Sequence, residues 1–109
     1  GRALDTLPLL PAAGAGAFDF IFIDADKASP AEYFGWALKL ARKRSVIVVD
    51  NVVRKGAVAD AASADASVQG IRRFNEVLAA EKRVSATAIQ TVGSKGYDGF
   101  ALAVVTGDV

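Results

Sequence analysis

A chain of 109 residues is long enough for one domain, and its 52% hydrophobic and 23% charged residues are typical of a folded protein with a core. Thirteen basic residues are nearly balanced by twelve acidic ones, so the net charge of +1 gives no reason to expect a nucleic-acid partner. Cys and His are both absent, which excludes disulfides, thiol nucleophiles, imidazole bases and zinc sites and leaves only a hard cation bound by oxygen.

The apolar runs are too short to span a membrane and no secretion signal is visible, so we expect no membrane association and a cytoplasmic location. Because the chain begins at Gly1 and contains no methionine, we also expect it to be a fragment of a longer protein.

The first half of the sequence predicts a helix followed by two buried strands with another helix between them. Residues 2–10 are expected to form the first helix, which leads to the strand "FDFIFI" at 18–23. The second strand, "SVIVVD" at 45–50, is too continuously apolar to have one face in water. This order favours a parallel βαβ unit whose sheet is covered on both faces, and it places the aromatic residues of 18–22 in the core.

The helix between these strands begins with the pattern of a capping box. Ser29 is the predicted N-cap, Pro30 occupies the first helical position, and Glu32 lies three residues after the cap. The basic residues of 39–44 are expected near the C-terminal end of the helix, where cations complement its dipole. Apolar residues recur at helical spacing, which predicts one buried face made of Tyr33, Trp36, Ala37 and Leu40.

The second half predicts a helix and an antiparallel pair of strands. Residues 54–66 are polar and Ala-rich and are expected to form a loop, and Asp65 or Ser67 is the expected cap of a helix over about 67–82. Residues 84–92 and 99–105 are the predicted strands. The connection "GSKGYD" between them suits a hairpin with a bulge.

Polar side chains follow both strands of the predicted βαβ unit. Asp24 and Lys27 come after the first strand, and Asp50 and Asn51 come after the second. Ligands of open α/β sheets bind at the carboxyl ends of the strands, so two carboxylates and an amide oxygen there suit Mg²⁺ or Ca²⁺. Each cluster has a purely structural alternative, because Asp after a strand often caps a helix and Asp-Asn is a common turn pair.

These motifs together resemble the C-terminal portion of the cation-dependent O-methyltransferases of the caffeoyl-coenzyme A and catechol type. The resemblance is carried by "GRALDTLP" at 1–8, "FDFIFIDADK" at 18–27, "VIVVDNV" at 46–52 and "VQGIRRFNEVL" at 68–78. It implies strands four to seven of a doubly wound, Rossmann-like sheet, with the last strand inserted antiparallel. The chain has Lys43-Arg44-Ser45 where the family usually has Pro-Gly-Gly, which indicates a changed turn.

The resemblance also implies a role for each matching position. The implied divalent-cation ligands are Asp24, Asp50 and Asn51, with Asp24 also next to the substrate; the implied general base is Lys27; and the implied S-adenosylmethionine contacts are Ala3, Asp26 and Tyr33. The substrate would be a catechol-like or other hydroxylated aromatic molecule, and the cofactors would be S-adenosylmethionine with Mg²⁺ or Ca²⁺. A metal would acidify the hydroxyl, and Lys27 would accept its proton.

Residues 1–109 would then form a single unit that lacks the N-terminal cofactor-binding half and is inactive alone. Two alternatives stay open: a Mg²⁺-binding receiver-like signalling module, and a non-catalytic remnant that self-associates. With the preceding strands missing, the strand at 18–23 would present a bare apolar edge, so we expect a homodimer or higher oligomer.

Overall fold

The structure is a computed structural model that describes residues 3–12, 14, 18–24, 29–50, 52, 65–93 and 96–107. Two short helices come first, strands and helices then alternate, and a pair of strands follows them. The elements are α1 (Ala3–Thr6), α2 (Leu9–Ala12), β1 (Phe18–Ile23), α3 (Pro30–Leu40), β2 (Ala41–Asp50), α4 (Ala66–Ala80), β3 (Val84–Gly93) and β4 (Gly96–Val105).

The strands form one sheet in the order β1-β2-β4-β3. β1 runs parallel to β2, β4 is antiparallel to β2, and β3 is antiparallel to β4. This arrangement confirms the predicted α/β class and the antiparallel pair at the end of the chain. The strand order places the carboxyl ends of β1 and β2 side by side at one margin of the sheet.

One face of the sheet packs against α3 and α4 and forms the core. Alternate strand residues such as Ile47 and Val49 are buried there beneath Phe34 of α3 and Phe74 of α4. The two phenylalanine rings meet edge to face with centroids 5.6 Å apart, the arrangement that aromatic quadrupoles favour. The same apolar cluster therefore packs α3 against α4 and packs both helices against the sheet.

The opposite face of the sheet is much less covered, and here the prediction of a sheet buried on both sides is wrong. Phe18, Phe20 and Phe22 of β1 are 44%, 61% and 54% exposed, so these aromatic residues are not in the core. Val46 and Val48 of the neighbouring strand are half-buried on the same face. Apolarity predicted burial correctly only for the residues that face the helices.

β2 begins four residues earlier than predicted because it contains an irregular first section. Ala41 pairs with Phe18 and Val46 pairs with Phe20, so β2 takes five residue steps where β1 takes two. Arg44 has a φ of 79°, a left-handed conformation unfavourable for most residues other than Gly. The buried side chain of Ser45 stabilises this irregular section. Its hydroxyl donates to the Phe18 carbonyl at 2.6 Å and accepts from the Arg42 N–H at 2.9 Å.

The basic run at 39–44 is consequently divided between two elements. Lys39 stays on α3, with its Nζ 4.3 Å from the centre of the Trp36 ring, whereas residues 42–44 belong to β2. Trp36 is half-buried rather than a core residue. Arg42 forms an exposed ion pair with Asp19 of β1.

The structure corrects the predicted capping of α3 and the predicted extent of the first helix. Ser29 is the N-cap of α3, but its side chain makes no capping hydrogen bond, and Glu32 instead accepts from Arg73 of α4 at 2.7 Å. The helix predicted at 2–10 is split into α1 and α2, which agrees with the steric restriction that Pro8 places on the residue before it. For α4, the cap is Asp65, whose carboxylate accepts from two backbone N–H groups.

β3 and β4 pair continuously from Val84 with Val105 to Gly93 with Gly96, so the predicted hairpin bulge is absent from this pairing. The predicted loop at 54–66 lies outside the described residues except for its last two positions. Among the helices described, not one has the length and apolar character needed to cross a membrane.

Candidate functional site at the strand ends

The parallel register of β1 and β2 sets the position of the two acidic residues that follow them. Ile23 pairs with Val49, so the next positions, Asp24 and Asp50, are opposite each other. Adjacent strands lie about 4.8 Å apart, which is close enough for two side chains to share one ligand. Asp24 is exposed and Asp50 is half-buried, so this pair of positions is open to solvent from one side.

The end of β2 is held from its other side by β4. Asp50 pairs with Phe100, and two residues later the Val52 N–H donates to the Gly99 carbonyl at 3.0 Å. Gly99 in turn donates its own N–H to the Asp98 carboxylate at 2.9 Å. Val52 is 2% exposed, so this residue is anchored by burial as well as by its backbone hydrogen bond.

An apolar cleft of about 250 Å³ begins beside Asp24. Tyr33 of α3 contributes a buried ring to it, and α1 is followed by Leu7, which closes the cleft from the side of the N-terminal helices. Ligand pockets usually occupy about 300–1,000 Å³, so the described residues form a space suited to part of a larger ligand. Its lining residues are Leu7, Ile21, Phe22, Ile23, Asp24, Tyr33, Ala37 and Leu40.

The structure brings together some of the predicted site residues. Asp24 and Tyr33 line the same cleft, and Asp50 is at the strand position beside Asp24. Ala3 is exposed on α1, four residues before the lining residue Leu7. The predicted roles of Asp26, Lys27 and Asn51 fall on positions outside the described residues.

Sequence reasoning missed the contribution of Leu7 to this cleft. Leu4 and Leu7 are partly buried against the core cluster, and they are three residues apart. That spacing is the ordinary signature of one helical face, so it could have identified these leucines as packing residues. It could not have shown that they pack beside Asp24.

The donor chemistry of the strand ends fits a hard divalent cation. Asp24 and Asp50 supply carboxylate oxygens, which Mg²⁺ and Ca²⁺ prefer, and neither ion requires the missing His or Cys. Within the described part of the chain, no cluster of three or more acidic, His or Cys residues is suited to a metal. A site here therefore needs further oxygen ligands beyond the two described carboxylates.

Comparison with known proteins places these features in a family context. The sequence model of the family described as "O-methyltransferase" matches residues 1–104. A catechol O-methyltransferase of Niastella koreensis is 56% identical over 96% of this chain and 48% of its own length. A catechol O-methyltransferase of Mycobacterium tuberculosis is 52% identical over 96% of this chain and 46% of its own length.

Solved O-methyltransferase structures are also similar to this chain in their fold. An O-methyltransferase from Bacillus cereus in complex with SAH has a TM-score of 0.94 at 62% identity, covering 97% of this chain and 48% of that one. The O-methyltransferase TomG from Streptomyces achromogenes, in complex with SAM, has a TM-score of 0.93 at 61% identity, covering 98% of this chain and 48% of that one. The chain thus spans about half the length of the relatives it matches.

Proposed function

The chain belongs to the O-methyltransferase family, and from this premise we propose that it contributes to S-adenosylmethionine- and divalent-cation-dependent methylation of a hydroxyl on a catechol-like or other aromatic small molecule. The observation that most supports the proposal is the register that puts Asp24 opposite Asp50. The high similarity to catechol O-methyltransferases supports the same class of substrate.

In this proposal the cation is held by Asp24, Asp50 and Asn51. The first two residues lie at neighbouring strand ends, and Asn51 directly follows the second in sequence. A third oxygen from an amide beside two carboxylates would suit Mg²⁺ or Ca²⁺, with substrate or water oxygens completing the shell. Asp24 would also approach the substrate, because it would share the ion with it.

The S-adenosylmethionine contacts are proposed for Ala3, Asp26 and Tyr33. The cleft that begins beside Asp24 supports the proposal for Tyr33, whose buried ring would provide an apolar wall for part of the cofactor. The similar Bacillus cereus and Streptomyces achromogenes structures hold SAH and SAM, respectively. Since the cleft is smaller than most ligand pockets, the rest of the cofactor would require residues beyond those described.

The proposed chemistry assigns proton transfer to Lys27. When bound, a divalent cation lowers the pKa of a coordinated hydroxyl, and S-adenosylmethionine provides an electrophilic methyl group. The Lys27 amine, in its neutral form, would accept the proton released by the aryl hydroxyl. The strand-end residues would also align the hydroxyl oxygen with the methyl group. This alignment would supply much of the remaining acceleration, because it removes the entropic cost of bringing the two reactants together.

We further propose that residues 1–109 act as one unit, that this unit is inactive on its own, and that it works in the cytoplasm. The length comparison supports the second point, since each catechol O-methyltransferase relative contains about as much chain again. Neither a nucleic-acid nor a membrane partner is part of the proposal.

A chimera provides the test of this function. The chain would be joined to the remaining half of the Niastella koreensis relative, and methyl transfer from S-adenosylmethionine to catechol would be measured with and without a chelator. We expect activity that the chelator removes, and at least a hundredfold loss in Asp50→Asn. The matched control is Asp19→Asn, at the opposite end of β1, which should retain activity.

Two results would reject the proposal in separate ways. Activity that persists in the chelator would rule out cation dependence while leaving methyl transfer in place. Equal losses in Asp50→Asn and Asp19→Asn would show that the strand ends have no special role. Calorimetry of Mg²⁺ binding to the same variants would separate loss of the ion from loss of the reaction.

A further inference from the structure

We propose that Asp98 is a positioning residue for the proposed cation site, and that it acts by holding the backbone next to the proposed ligand Asn51. Asp98 lies near the start of β4, and its carboxylate oxygen Oδ1 accepts a hydrogen bond from the Gly99 N–H at 2.9 Å. This inference rests on the proposed function, because it concerns the ligands of the same ion. In the sequence, Asp98 ends the connection "GSKGYD", for which a hairpin is the only predicted role.

The antiparallel pairing of β2 and β4 brings the start of β4 to the carboxyl end of β2. Asp50 pairs with Phe100, and Asp98 precedes Phe100 by two residues. Side chains alternate between the two faces of a strand, and directly paired residues share a face. The Asp98 position is therefore on the same face of the sheet as Asp50, at the same margin, although the two residues are far apart in sequence.

Two successive hydrogen bonds connect Asp98 to the backbone that follows Asp50. Asp98 accepts from the Gly99 N–H, and the Gly99 carbonyl accepts from the Val52 N–H at 3.0 Å. Gly99 is buried and Val52 is 2% exposed, so these bonds are shielded from water. Asp50 and Val52 are thus both held by β4, and the residue between them in sequence is Asn51.

The pairing of β2 with β4 changes register by one residue in this short stretch. If the register at the end of β2 continued, the Val52 N–H would donate to the Asp98 carbonyl, but it donates to that of Gly99. An extra residue in one strand of a pair re-aims a neighbouring side chain, and such irregularities are common next to active sites. In the proposal, the Gly99 contact sets the direction of the Asn51 amide, and Asp98 keeps Gly99 in place.

Direct binding of the ion by Asp98 is not part of the inference. Over the described ranges of the chain, no three acidic, His or Cys residues form a group that could hold a metal, so Asp98 does not complete a ligand set with Asp24 and Asp50. Its carboxylate is instead bound to a backbone N–H, for which a charged acceptor is stronger than a neutral one. Such outer partners orient the ligands of metal sites, and their loss typically weakens metal binding by about 10–100-fold.

The test compares Asp98→Ala with the conservative Asp98→Asn in the 109-residue chain. Hydrogen exchange followed by NMR would report on the Val52 N–H, and calorimetry with Mg²⁺ alone would report on the site. In Asp98→Ala we expect the Val52 N–H to exchange about tenfold faster, with little change at Ile47 in the middle of β2, because the Gly99 N–H loses this acceptor. The same variant should bind Mg²⁺ about tenfold more weakly. Asp98→Asn retains an acceptor oxygen at the same place and should resemble the unmodified chain in both measurements.

Two further variants separate position from charge and from the strand pairing. Asp98→Glu keeps the charge but moves the oxygens by one methylene, so it should also weaken Mg²⁺ binding, and it decides the question even where Asp98→Ala fails to fold. Thr91→Ala is the matched control, because Thr91 is the exposed residue of β3 that pairs with Asp98. It should leave both measurements unchanged.

The outcomes distinguish this inference from the proposed function. Faster exchange of Val52 with unchanged Mg²⁺ binding would reduce Asp98 to a structural role and overturn the inference. Equal weakening of Mg²⁺ binding in Asp98→Asn and Asp98→Ala would overturn it as well, because the charge rather than the hydrogen bond would then matter. An unmodified chain that binds no Mg²⁺ would instead reject the proposed cation site itself.

Discussion

Removal of the Ser45 hydroxyl should destabilise the protein far more than an ordinary surface change. Ser45 is 1% exposed, and its hydroxyl makes two hydrogen bonds, of 2.6 Å to the Phe18 carbonyl and 2.9 Å from the Arg42 N–H. Ser45→Ala would delete both bonds and leave two backbone groups without these partners. At about 1 kcal/mol for each bond, the expected loss in the free energy of unfolding is about 2 kcal/mol.

Chemical denaturation followed by circular dichroism would measure this loss, and thermal unfolding should show a fall in Tm of about 8 °C at roughly 4 °C per kcal/mol. The matched control is Ser85→Ala, the same substitution at an exposed position of β3, which should change stability by less than about 0.5 kcal/mol. Equal free energies of unfolding in the two variants would refute the idea that Ser45 fastens the irregular start of β2.

Three further predictions concern other parts of the molecule. Arg44→Gly should raise the free energy of unfolding by about 0.5 kcal/mol in urea titrations, because Gly tolerates a φ of 79°; Lys43→Gly, without a positive φ, should lower it by a similar amount. Phe74→Ala should cost about 3–5 kcal/mol, since the ring is fully buried against its partner on α3, and Phe74→Leu should cost clearly less. The Arg83 guanidinium hydrogen-bonds to the Glu81 carboxylate and holds the pKa of Glu81 below its usual value of 4.5. This pair therefore stabilises the folded protein above pH 4.5, and the stabilisation is lost as the pH falls through the lowered pKa. The Tm difference between the protein and Glu81→Gln should therefore shrink on acidification, and a difference that is the same at neutral pH and at the lowest pH where both proteins still fold would contradict this assignment.

Local patterns predicted the parts of the fold that depend on nearby residues. The strand at 18–23 and the helix that begins at Pro30 were found at the predicted positions, since a run of aromatic and β-branched residues and a proline after a cap act over a few residues. The adjacency of the Asp24 and Asp50 positions was also expected, because it follows from a parallel βαβ connection with short strands. The family resemblance added the candidate roles of these residues.

Features that depend on distant parts of the chain could not be predicted in this way. Glu32 has the right spacing for a capping box, but Arg73, 41 residues away, provides a cationic partner for its carboxylate. Both partners of the Glu32–Arg73 pair are charged, whereas a capping box offers the Glu32 carboxylate only a neutral backbone N–H. The exposure of Phe20 could not be predicted for a similar reason. The sequence shows that the strand is apolar, but not whether another part of the chain covers it.

The irregular start of β2 determines whether the strand-end residues are aligned at all. The offset between paired residues is 23 positions at Phe18 and Ala41 and 26 positions from Phe20 and Val46 onward. An uninterrupted offset of 23 would put Ile23 beside Val46, which belongs to the opposite face of the sheet, and would place Asp24 beside Ile47. An odd shift in register exchanges the two faces of a strand, so the three extra residues near Arg44 keep apolar side chains directed to the helices. The same three residues bring Asp50 level with Asp24, and the proposed cation site therefore depends on a backbone feature at the far end of the strand.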